Sequence, residues 1–259
     1  MDASQDKQTD RNFMVGLGKG LAVIECFDER RERLTISEVA DMTKLSRAAA
    51  RRCLLTLQAL GYAQYDGKFF RLTPRVLRLG YAFLASAQLP RLLQPFLDRL
   101  SEEFSESCSA SILGESEIVY IARSAKQRIM SVDLGVGSRL PAYCTSMGRV
   151  LLAALDPEEA KRRLLAGERR KLTAHTHTSI EELMEILAQV RAQGYCVIDQ
   201  ELEVGLVSIA VPVFDASGRT ATAINMGAQS ARIPASELPG RVLGRLLEAQ
   251  RMLQPLIKS

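Results

Sequence analysis

The sequence predicts an α+β protein with a small N-terminal module, made of three helices and a β-hairpin, and a larger C-terminal module around a mainly antiparallel sheet. Two observations support this fold class. Apolar residues recur at helical spacing in three segments before residue 61, and a hairpin signal follows them directly. Beyond residue 90, predicted strands and helices come in blocks instead of strict alternation, which is typical of an antiparallel sheet.

The N-terminal module begins with a polar tail, residues 1–12, that we expect to be disordered. Apolar residues at helical spacing then predict a first helix over 17–29. Thr35 and Glu38 have the spacing of a capping box, in which a hydroxyl and a carboxylate exchange hydrogen bonds with backbone amides. This pair predicts the start of a second, short helix over 36–42.

A third helix is predicted over 47–59, with Ser46 as its N-cap and Gly61 where a helix-ending glycine is expected. Only the short turn 43–45 separates it from the second helix, and two helices joined in this way form a helix-turn-helix. In that motif the start of the second helix enters the major groove of DNA. The residues predicted to contact DNA around this turn are Thr35, Lys44, Ser46, Arg47, Ala48, Arg51 and Arg52.

The dipeptide Asp66-Gly67 lies between the short segments 62–65 and 68–72 and predicts a β-hairpin with a type I′ turn. A hairpin that follows a helix-turn-helix makes a winged helix-turn-helix. Lys68 and Arg71 on this wing are expected to lie beside the DNA phosphates. We assign the whole winged module to residues 13–74.

Charge is distributed unevenly between the two modules. Residues 1–89 hold 14 of the 34 Lys and Arg and 10 of the 30 Asp and Glu, so the remaining residues hold 20 of each kind and are neutral. A basic head on a neutral body is typical of proteins that bind a polyanion. A solvated basic surface would account for the charge alone equally well, so the order of the elements is what favours nucleic-acid binding.

Thr73-Pro74 predicts a helix start, because threonine caps and proline suits the first helical position. The residues that follow are mostly apolar, and we assign 75–89 to a linker helix. Such a helix needs a partner to cover it, and two-fold DNA sites need a dimer. The linker helix is therefore our candidate for dimer contacts, with Gln88-Leu89-Pro90 marking the domain boundary.

The larger module, residues 90–259, shows strand and helix signals in blocks. Its predicted strands are 108–113, 118–123, 128–132, 195–198, 206–214 and 220–226. Its predicted helices are 92–105, 146–155, one starting at Pro157, one capped by Thr178 or Ser179 and ending at Gly194, and 237–256. Residues 133–141 are predicted to be irregular.

No metal, cofactor or catalytic centre is predicted. The five cysteines are odd in number and form no CxxC pair, which is typical of reduced thiols. His175 and His177 lack a third ligand at motif spacing. Cys144 precedes a helix start, where a thiol pKa can fall, but nothing places a histidine beside it. The chain shows neither GxGxxG nor a Walker pattern, and paired carboxylates among Asp199, Glu201 and Glu203 stay open as a hydrolytic alternative.

No secretory signal is predicted. The N-terminus is polar and has no apolar signal segment. No apolar run approaches the ~18–20 residues of a membrane span. We therefore expect a cytoplasmic protein.

Tyr143 to Gly148 suggests an anion site, because small residues at a helix start leave backbone N–H groups for a carboxylate. An ordinary capped helix explains the same residues equally well, so the alternatives stay open at this point.

Motifs in both modules resemble the IclR family of bacterial transcriptional regulators, and they occur in that family's order. In one-letter code they are LGKGL at 17–21, TISEVA at 35–40, LSRAAARR at 45–52, LQALGY at 57–62, GSRLPAYCTSMGRVLLA at 137–153 and GLVSIAVPVF at 205–214. The resemblance covers nearly the whole chain. The recognition helix and the 141–152 segment most resemble the branch that regulates the β-ketoadipate pathway.

This resemblance implies a GAF-like effector-binding domain over 90–259. It implies that the amides of Ser146, Met147 and Gly148 hold an acidic effector. The full set of implied effector-binding residues is Met130, Leu134, Cys144, Ser146, Met147, Gly148, Asp199, Ser208 and Asn225. The sequence departs from some family members, which carry cysteine in place of Ser208 and small hydroxyl residues in place of Asn225 and Gly227.

The function implied is a DNA-binding transcriptional regulator of aromatic-acid catabolism, in the β-ketoadipate or protocatechuate pathway. Its partners would be a palindromic operator in double-stranded DNA, a small aromatic or dicarboxylic acid effector, and further copies of itself in a homodimer or tetramer. A contact with RNA polymerase is one way for the effector to change transcription. The alternatives are an enzyme of small aromatic acids with a basic regulatory head and a sequence-neutral nucleic-acid binder.

Overall fold

The computed structural model describes residues 13–28, 31–80, 88–126 and 134–258. The chain divides into two compact units, Met1–Ser86 and Ala87–Ser259. No helix within the described ranges is long and apolar enough to cross a membrane.

Residues 13–28 and 31–72 of the N-terminal unit form three helices and a hairpin. They are α1 (Val15–Ile24), α2 (Ile36–Thr43), α3 (Arg47–Ala59), β1 (Ala63–Tyr65) and β2 (Phe70–Leu72). The predictions for the second and third helices are confirmed. The first helix ends at Ile24 and not at 29, because the amides of Cys26 and Phe27 bond to carbonyls three residues back, which tightens and closes the last turn.

Local capping explains where the helix-turn-helix begins and turns. The predicted capping box at α2 is present, with Thr35 as the N-cap and Glu38 as its partner. Lys44 follows α2 in the left-handed conformation, at φ 57°, and Ser46 then caps α3. The helices pack around a shared core whose buried members include Val23, Val39, Ala50, Leu54 and Phe70.

The hairpin differs from the predicted two-residue turn. Tyr65 pairs with Phe70, so its loop has four residues, 66–69. The predicted type I′ turn is wrong because the Asp66 carboxylate accepts the amides of Lys68 and Phe69, at 3.0 and 2.8 Å, and folds the loop around itself. Gly67 is the only residue of this loop with a positive φ, and a type I′ turn needs two.

A contact that the sequence does not predict joins the loop before α2 to this hairpin. Leu34 and Phe70 exchange both backbone hydrogen bonds, at 3.0 and 2.8 Å, and so form an isolated antiparallel β-bridge beside the hairpin. This bridge places Arg33, the residue before Leu34, beside the wing.

Several predictions fall partly or wholly outside the described residues. They are the disordered tail 1–12, the strand 128–132 and Met130. Of the predicted linker helix, Thr73 caps a short 3₁₀ turn at Pro74–Val76 and residues 77–80 are helical. Gln88-Leu89-Pro90 form part of the next helix, Gln88–Phe104.

The described part of the C-terminal unit, residues 88–126 and 134–258, is built on six strands and five α-helices. The helices are α4 (Gln88–Phe104), α5 (Ser146–Ala153), α6 (Pro157–Ala166), α7 (Ile180–Gln193) and α8 (Gly244–Leu253). The strands are β3 (Ser107–Leu113), β4 (Glu117–Ser124), β5 (Arg139–Pro141), β6 (Cys196–Asp199), β7 (Leu206–Phe214) and β8 (Thr220–Gln229).

These strands form one sheet in the order β5-β4-β3-β8-β7-β6, with every neighbouring pair antiparallel. The α+β class and the antiparallel sheet are therefore confirmed. Apolar side chains of α4 and α8 pack with one face of the sheet, in a core that includes Leu97 and Leu246. Those of α5 and α7 form a second core that includes Val150 and Leu187.

Two segments of this unit differ from prediction. The stretch predicted to be irregular contains β5, which adds an edge strand by pairing with β4. The predicted closing helix 237–256 is divided into a 3₁₀ turn, a five-residue π segment at Pro239–Leu243, and α8. Pro239 is the first residue of the π segment, a position where its missing backbone N–H costs no hydrogen bond.

Candidate functional site

The first candidate site is the exposed surface of α3. This helix buries Ala50, Leu54 and Leu57 against the other helices. Because helical residues three and four apart share a face, the opposite side turns outward. Arg47, Ala48, Arg51 and Arg52 are all exposed there, at the N-terminal end of α3. Three guanidinium groups within six residues give this surface the charge and the planar donors that suit guanine edges and phosphates.

The other residues predicted to contact DNA are Thr35, Lys44 and Ser46, and they differ in how many of their hydrogen-bonding groups are already used within the protein. Lys44 and Ser46 are exposed. The Ser46 hydroxyl accepts the Ala49 amide at 3.2 Å, which leaves its own hydrogen available to a donor bond. The Thr35 hydroxyl accepts from the Glu38 amide at 3.3 Å and donates to the Glu38 carboxylate at 2.7 Å. Thr35 is therefore already fully engaged in the cap.

The wing carries a cationic cluster around one aromatic ring. Lys68 Nζ lies 5.1 Å from the centre of the Phe69 ring, and the Arg33 guanidinium lies 5.3 Å from it. Arg71 donates to Gln64 Oε1 from Nε and Nη2, at 3.1 and 2.9 Å. Arg33 was not predicted. It lies before α2 in the sequence, and only the Leu34–Phe70 pairing brings it to the wing.

The second candidate site is a small cavity between the sheet and the start of α5, with a volume of about 40 Å³. Six of the predicted effector-binding residues line it together: Leu134, Cys144, Ser146, Met147, Ser208 and Asn225. They come from four separate stretches of sequence. Met130 lies outside the described residues.

Gly148 and Asp199 do not line this cavity. The Gly148 amide donates to the hydroxyl of Thr145, the N-cap of α5, at 3.3 Å and is therefore occupied. The Asp199 carboxylate is exposed and accepts from Gln200 at 3.1 Å. Successive side chains of a strand point to opposite faces, so Ile198 reaches the cavity while its neighbour Asp199 points away.

Hydrogen bonds hold the start of α5 against the sheet. The Ser208 hydroxyl on β7 donates to the Ser146 hydroxyl at 2.9 Å, and the Ser111 hydroxyl on β3 donates to the Met147 sulfur at 3.3 Å. With the Gly148 amide used by the cap, the free backbone donors of this helix start are the amides of Ser146 and Met147. Both residues line the cavity and lie at the positive end of the helix dipole.

Sequence reasoning missed several polar residues that line the cavity. They are Ser107, Ser109, Tyr120, Arg123 and Thr145. A signal was present in the alternation Ser107, Ser109, Ser111 along β3, which gives one face of a strand three hydroxyls. Arg123 has no comparable local signal, because it faces the cavity only through its pairing with Ser109 across β3 and β4.

Behind α5 lies a buried ion pair. Arg149 donates from Nη1 and Nη2 to the two carboxylate oxygens of Glu201, each at 2.6 Å, and from Nε to the Tyr143 carbonyl at 2.8 Å. The two side chains are only 3% and 6% exposed. The pair ties α5 to the loop between β6 and β7, which also carries the cavity-lining Leu202.

The cysteine in the cavity is not an activated nucleophile. Burial raises the pKa of the Cys144 thiol to about 12. Burial likewise raises the pKa of the Tyr120 hydroxyl to about 12, and the nearby Arg123 charge opposes this only partly. At neutral pH both groups are protonated, so they offer hydrogen bonds and no thiolate or phenolate.

The two histidines lie outside the cavity. His177 Nδ1 is 2.6 Å from the Glu182 carboxylate, and His177 lines a wider groove of about 560 Å³ together with His175, Arg149 and Asp199. The described residues contain no group of three His, Cys, Asp or Glu side chains that could hold a metal ion. In this groove Arg149 is paired with Glu201, and His177 is paired with Glu182, which favours the small cavity as the ligand site.

Two protein-family models together match most of the chain. The IclR helix-turn-helix domain model matches residues 16–67, and the model of the bacterial transcriptional regulator IclR C-terminal domain matches residues 81–254.

Relatives of similar length are themselves regulators. The chain is 49% identical over 245 residues to the Pca regulon regulatory protein of Pseudomonas putida, covering 94% of this chain and 84% of that protein. It is 39% identical over 260 residues to the p-hydroxybenzoate hydroxylase transcriptional activator of Acinetobacter baylyi, covering 98% and 96%. A solved structure that it resembles is a double mutant of the inducer-binding domain of the transcription factor PobR from Acinetobacter, in complex with 3-hydroxybenzoic acid. The identity is 35% and the TM-score 0.61, over 65% of this chain and 99% of that one.

Proposed function

The chain belongs to the IclR family of bacterial transcriptional regulators, and from that membership we propose that it controls genes of aromatic-acid catabolism. In this proposal it binds a palindromic operator as a dimer or tetramer. A small aromatic or dicarboxylic acid binds the C-terminal unit and changes the affinity for the operator or the contact with RNA polymerase.

DNA recognition is supported above all by the exposed arginines at the start of α3. A winged helix-turn-helix places this end of its second helix in the major groove, with the wing beside the backbone. Arg47, Arg51 and Arg52 would then meet base edges and phosphates, and Lys68 with Arg33 would meet phosphates from the wing.

The pathway is supported by the relatives. The Pca regulon regulatory protein and the p-hydroxybenzoate hydroxylase transcriptional activator match the chain from the N-terminal to the C-terminal unit. The PobR inducer-binding domain, which resembles the C-terminal unit, carries a hydroxybenzoic acid. The preferred acid class for this chain is therefore a hydroxybenzoate or a related dicarboxylate.

The cavity supports a ligand role and implies that it opens on binding. About 40 Å³ accommodates a few water molecules, whereas a benzoic acid needs more room. The apolar wall is formed by Leu134, Leu140 and Met147, whose flexible side chains can move apart. Since Met147 is the second residue of α5, such a shift would move the helix start and give the effector a mechanical link to the rest of the unit.

A regulatory role without catalysis is the simpler assignment. The pKa of the Cys144 thiol in the cavity is raised. The Glu201 carboxylate accepts hydrogen bonds from Arg149, and the Asp199 carboxylate accepts one from Gln200. A nucleophilic thiol would need a lowered pKa instead.

The operator test uses band shifts with a palindromic upstream fragment and random DNA of the same length. Arg51→Ala or Arg52→Ala is expected to weaken operator binding by about 10–100-fold, since a side chain that reads a base contributes about 1–3 kcal/mol. Lys68→Ala should weaken binding to both fragments alike, because phosphates carry no sequence information.

Arg170→Ala is the matched control, because Arg170 is an exposed arginine of the C-terminal unit that pairs with Glu168. It should leave both affinities unchanged. Equal operator binding by wild type and all three N-terminal variants would refute the assignment of α3 as the recognition helix. Equal wild-type affinity for operator and random DNA would instead support a sequence-neutral binder.

A further inference from the structure

We propose that Arg123 binds the carboxylate of the effector, at the end of the cavity opposite to the start of α5. This inference rests on the proposed function, because it assumes that the cavity takes an acid. It assigns the ligand's orientation and requires an elongated acid with a second oxygen at its far end.

Arg123 is the one charged side chain among the described residues that line the cavity. Its Nη1 donates to the Ser109 hydroxyl at 3.0 Å. Its Nε is buried and has no hydrogen-bond partner among the described residues. A buried donor of a charged group without a partner is costly, and an incoming carboxylate removes that cost.

The geometry of the free edge suits a carboxylate. Nη1 is held by Ser109, which leaves the edge formed by Nε and Nη2 for a ligand. Arginine presents two parallel N–H groups along such an edge, and these match the two oxygens of a carboxylate. No aspartate or glutamate is among the cavity-lining residues described, so no side-chain carboxylate there competes for this edge.

A second unpaired group lies beside it. Asn225 is 9% exposed, and its Oδ1 is buried without a hydrogen-bond partner. The register places Ser109 opposite Arg123 on β4 and opposite Asn225 on β8, so the three residues form one row across neighbouring strands. This row supplies the polar end of the cavity on the sheet side.

The other polar end is the Ser146–Ser208 hydroxyl pair with the first amides of α5. Ser208 lies on β7, three strands away from Arg123 on β4, which is a backbone separation of about 14 Å at strand spacings of about 4.8 Å. The long Arg123 side chain, which lines the cavity, covers part of that distance. Acids that reach both ends carry two oxygen-bearing groups on a ring or a chain of about six carbons. 4-Hydroxybenzoate and adipate are examples.

Charge decides which end takes the carboxylate. Arg123 offers a full positive charge, whereas a helix start offers about half a charge. The structure therefore assigns the carboxylate to Arg123 and the second oxygen, a ring hydroxyl or a further carboxylate, to the start of α5.

The test compares two ligand pairs by titration calorimetry of the full-length protein: benzoate with 4-hydroxybenzoate, and hexanoate with adipate. Within each pair only the second oxygen-bearing group differs. Arg123→Gln is expected to weaken both members of the bound pair at least tenfold. Ser208→Ala is expected to weaken only the member with the second group, by about three- to tenfold. Arg139→Gln, an exposed arginine on β5 paired with Glu117, is the control and should change neither.

If Arg123→Gln binds both members of a ligand pair as tightly as wild type does, the inference is overturned and the proposed function stands. The reverse pattern, with Ser208→Ala weakening both members and Arg123→Gln only one, would overturn the orientation. If the wild type binds none of the four acids, effector control by these acid classes fails and the inference fails with it.

Arg123→Lys is a second test of the same side chain, for the case in which Arg123→Gln does not fold. It retains the charge and loses the two-donor edge, so both members of the pair should bind several-fold more weakly than to wild type. Equal binding by a folded lysine variant would also overturn the inference. Circular dichroism and operator binding without ligand report whether each variant is folded.

Discussion

At the level of single residues, we expect substitutions in the buried ion pair between Arg149 and Glu201 to lower the stability of the protein strongly. Both charges are withdrawn from water, and each depends on the other for compensation. Glu201 Oε2 also accepts the His177 amide at 3.2 Å, so the pair organises three segments at once. Loss of one partner leaves the other charge buried and unpaired, which is far more costly than loss of a surface pair.

We expect Arg149→Met or Glu201→Gln to lower the free energy of unfolding by about 3–5 kcal/mol, measured by urea denaturation. The matched control is the exposed pair between Arg139 and Glu117, where Arg139→Met should cost less than about 1 kcal/mol. A loss below about 1 kcal/mol for both buried substitutions would show that the pair does not hold α5 in place.

At the level of elements, the start of α5 depends on one glycine. A Cβ on Gly148 would overlap the carbonyl oxygen and Cα of Ala142, which belong to the backbone of the preceding 3₁₀ turn. That turn therefore packs directly on the helix, and its position sets where Ser146 and Met147 face the cavity. The requirement is for close approach and not for an unusual backbone angle, because Gly148 lies inside a regular helix.

Gly148→Ala is expected to destabilise the protein by about 2 kcal/mol or more and to weaken effector binding, because the helix start must shift away from the turn. Gly244→Ala is the control in another helix, since a Cβ there meets nothing within 4 Å. It should be neutral or stabilise by up to about 1 kcal/mol. Thermal unfolding with and without ligand measures both effects, and a neutral Gly148→Ala would contradict the close packing.

At the level of the whole molecule, the uneven distribution of charge predicts that DNA binding and effector binding respond differently to salt. The excess of basic residues lies in residues 1–89, and the remainder is neutral. DNA binding by such a head releases counterions and depends steeply on salt. An acid bound in a buried cavity is screened much less.

We expect operator affinity to fall at least tenfold between 50 and 200 mM KCl, and effector affinity by less than about threefold. Lys68→Ala should reduce the slope of log affinity against log salt by about one for each wing that contacts a phosphate. Fluorescence anisotropy measures the first quantity and calorimetry the second. An unchanged slope in Lys68→Ala would remove the wing from the DNA interface.

Features that depend on neighbouring residues were predictable from the amino-acid sequence alone. The helix-turn-helix, the capping box at Thr35, the Asp156-Pro157 start of α6 and the Gly194 end of α7 were all predicted, because caps, prolines and glycines act on the backbone within one turn. Motifs in both units also indicated the family. The hairpin loop was mispredicted because one side chain, Asp66, competed with the general preference of its dipeptide.

Which side chains meet depends on the tertiary structure. Arg123, Ser109 and Asn225 are brought into one row by the pairing of β4, β3 and β8, and Arg33 reaches the wing through a single pair of backbone hydrogen bonds. Strand alternation assigns neighbouring side chains such as Ile198 and Asp199 to opposite faces of the sheet. Which strands lie side by side is set by contacts between segments far apart in the chain, and no local pattern encodes those contacts.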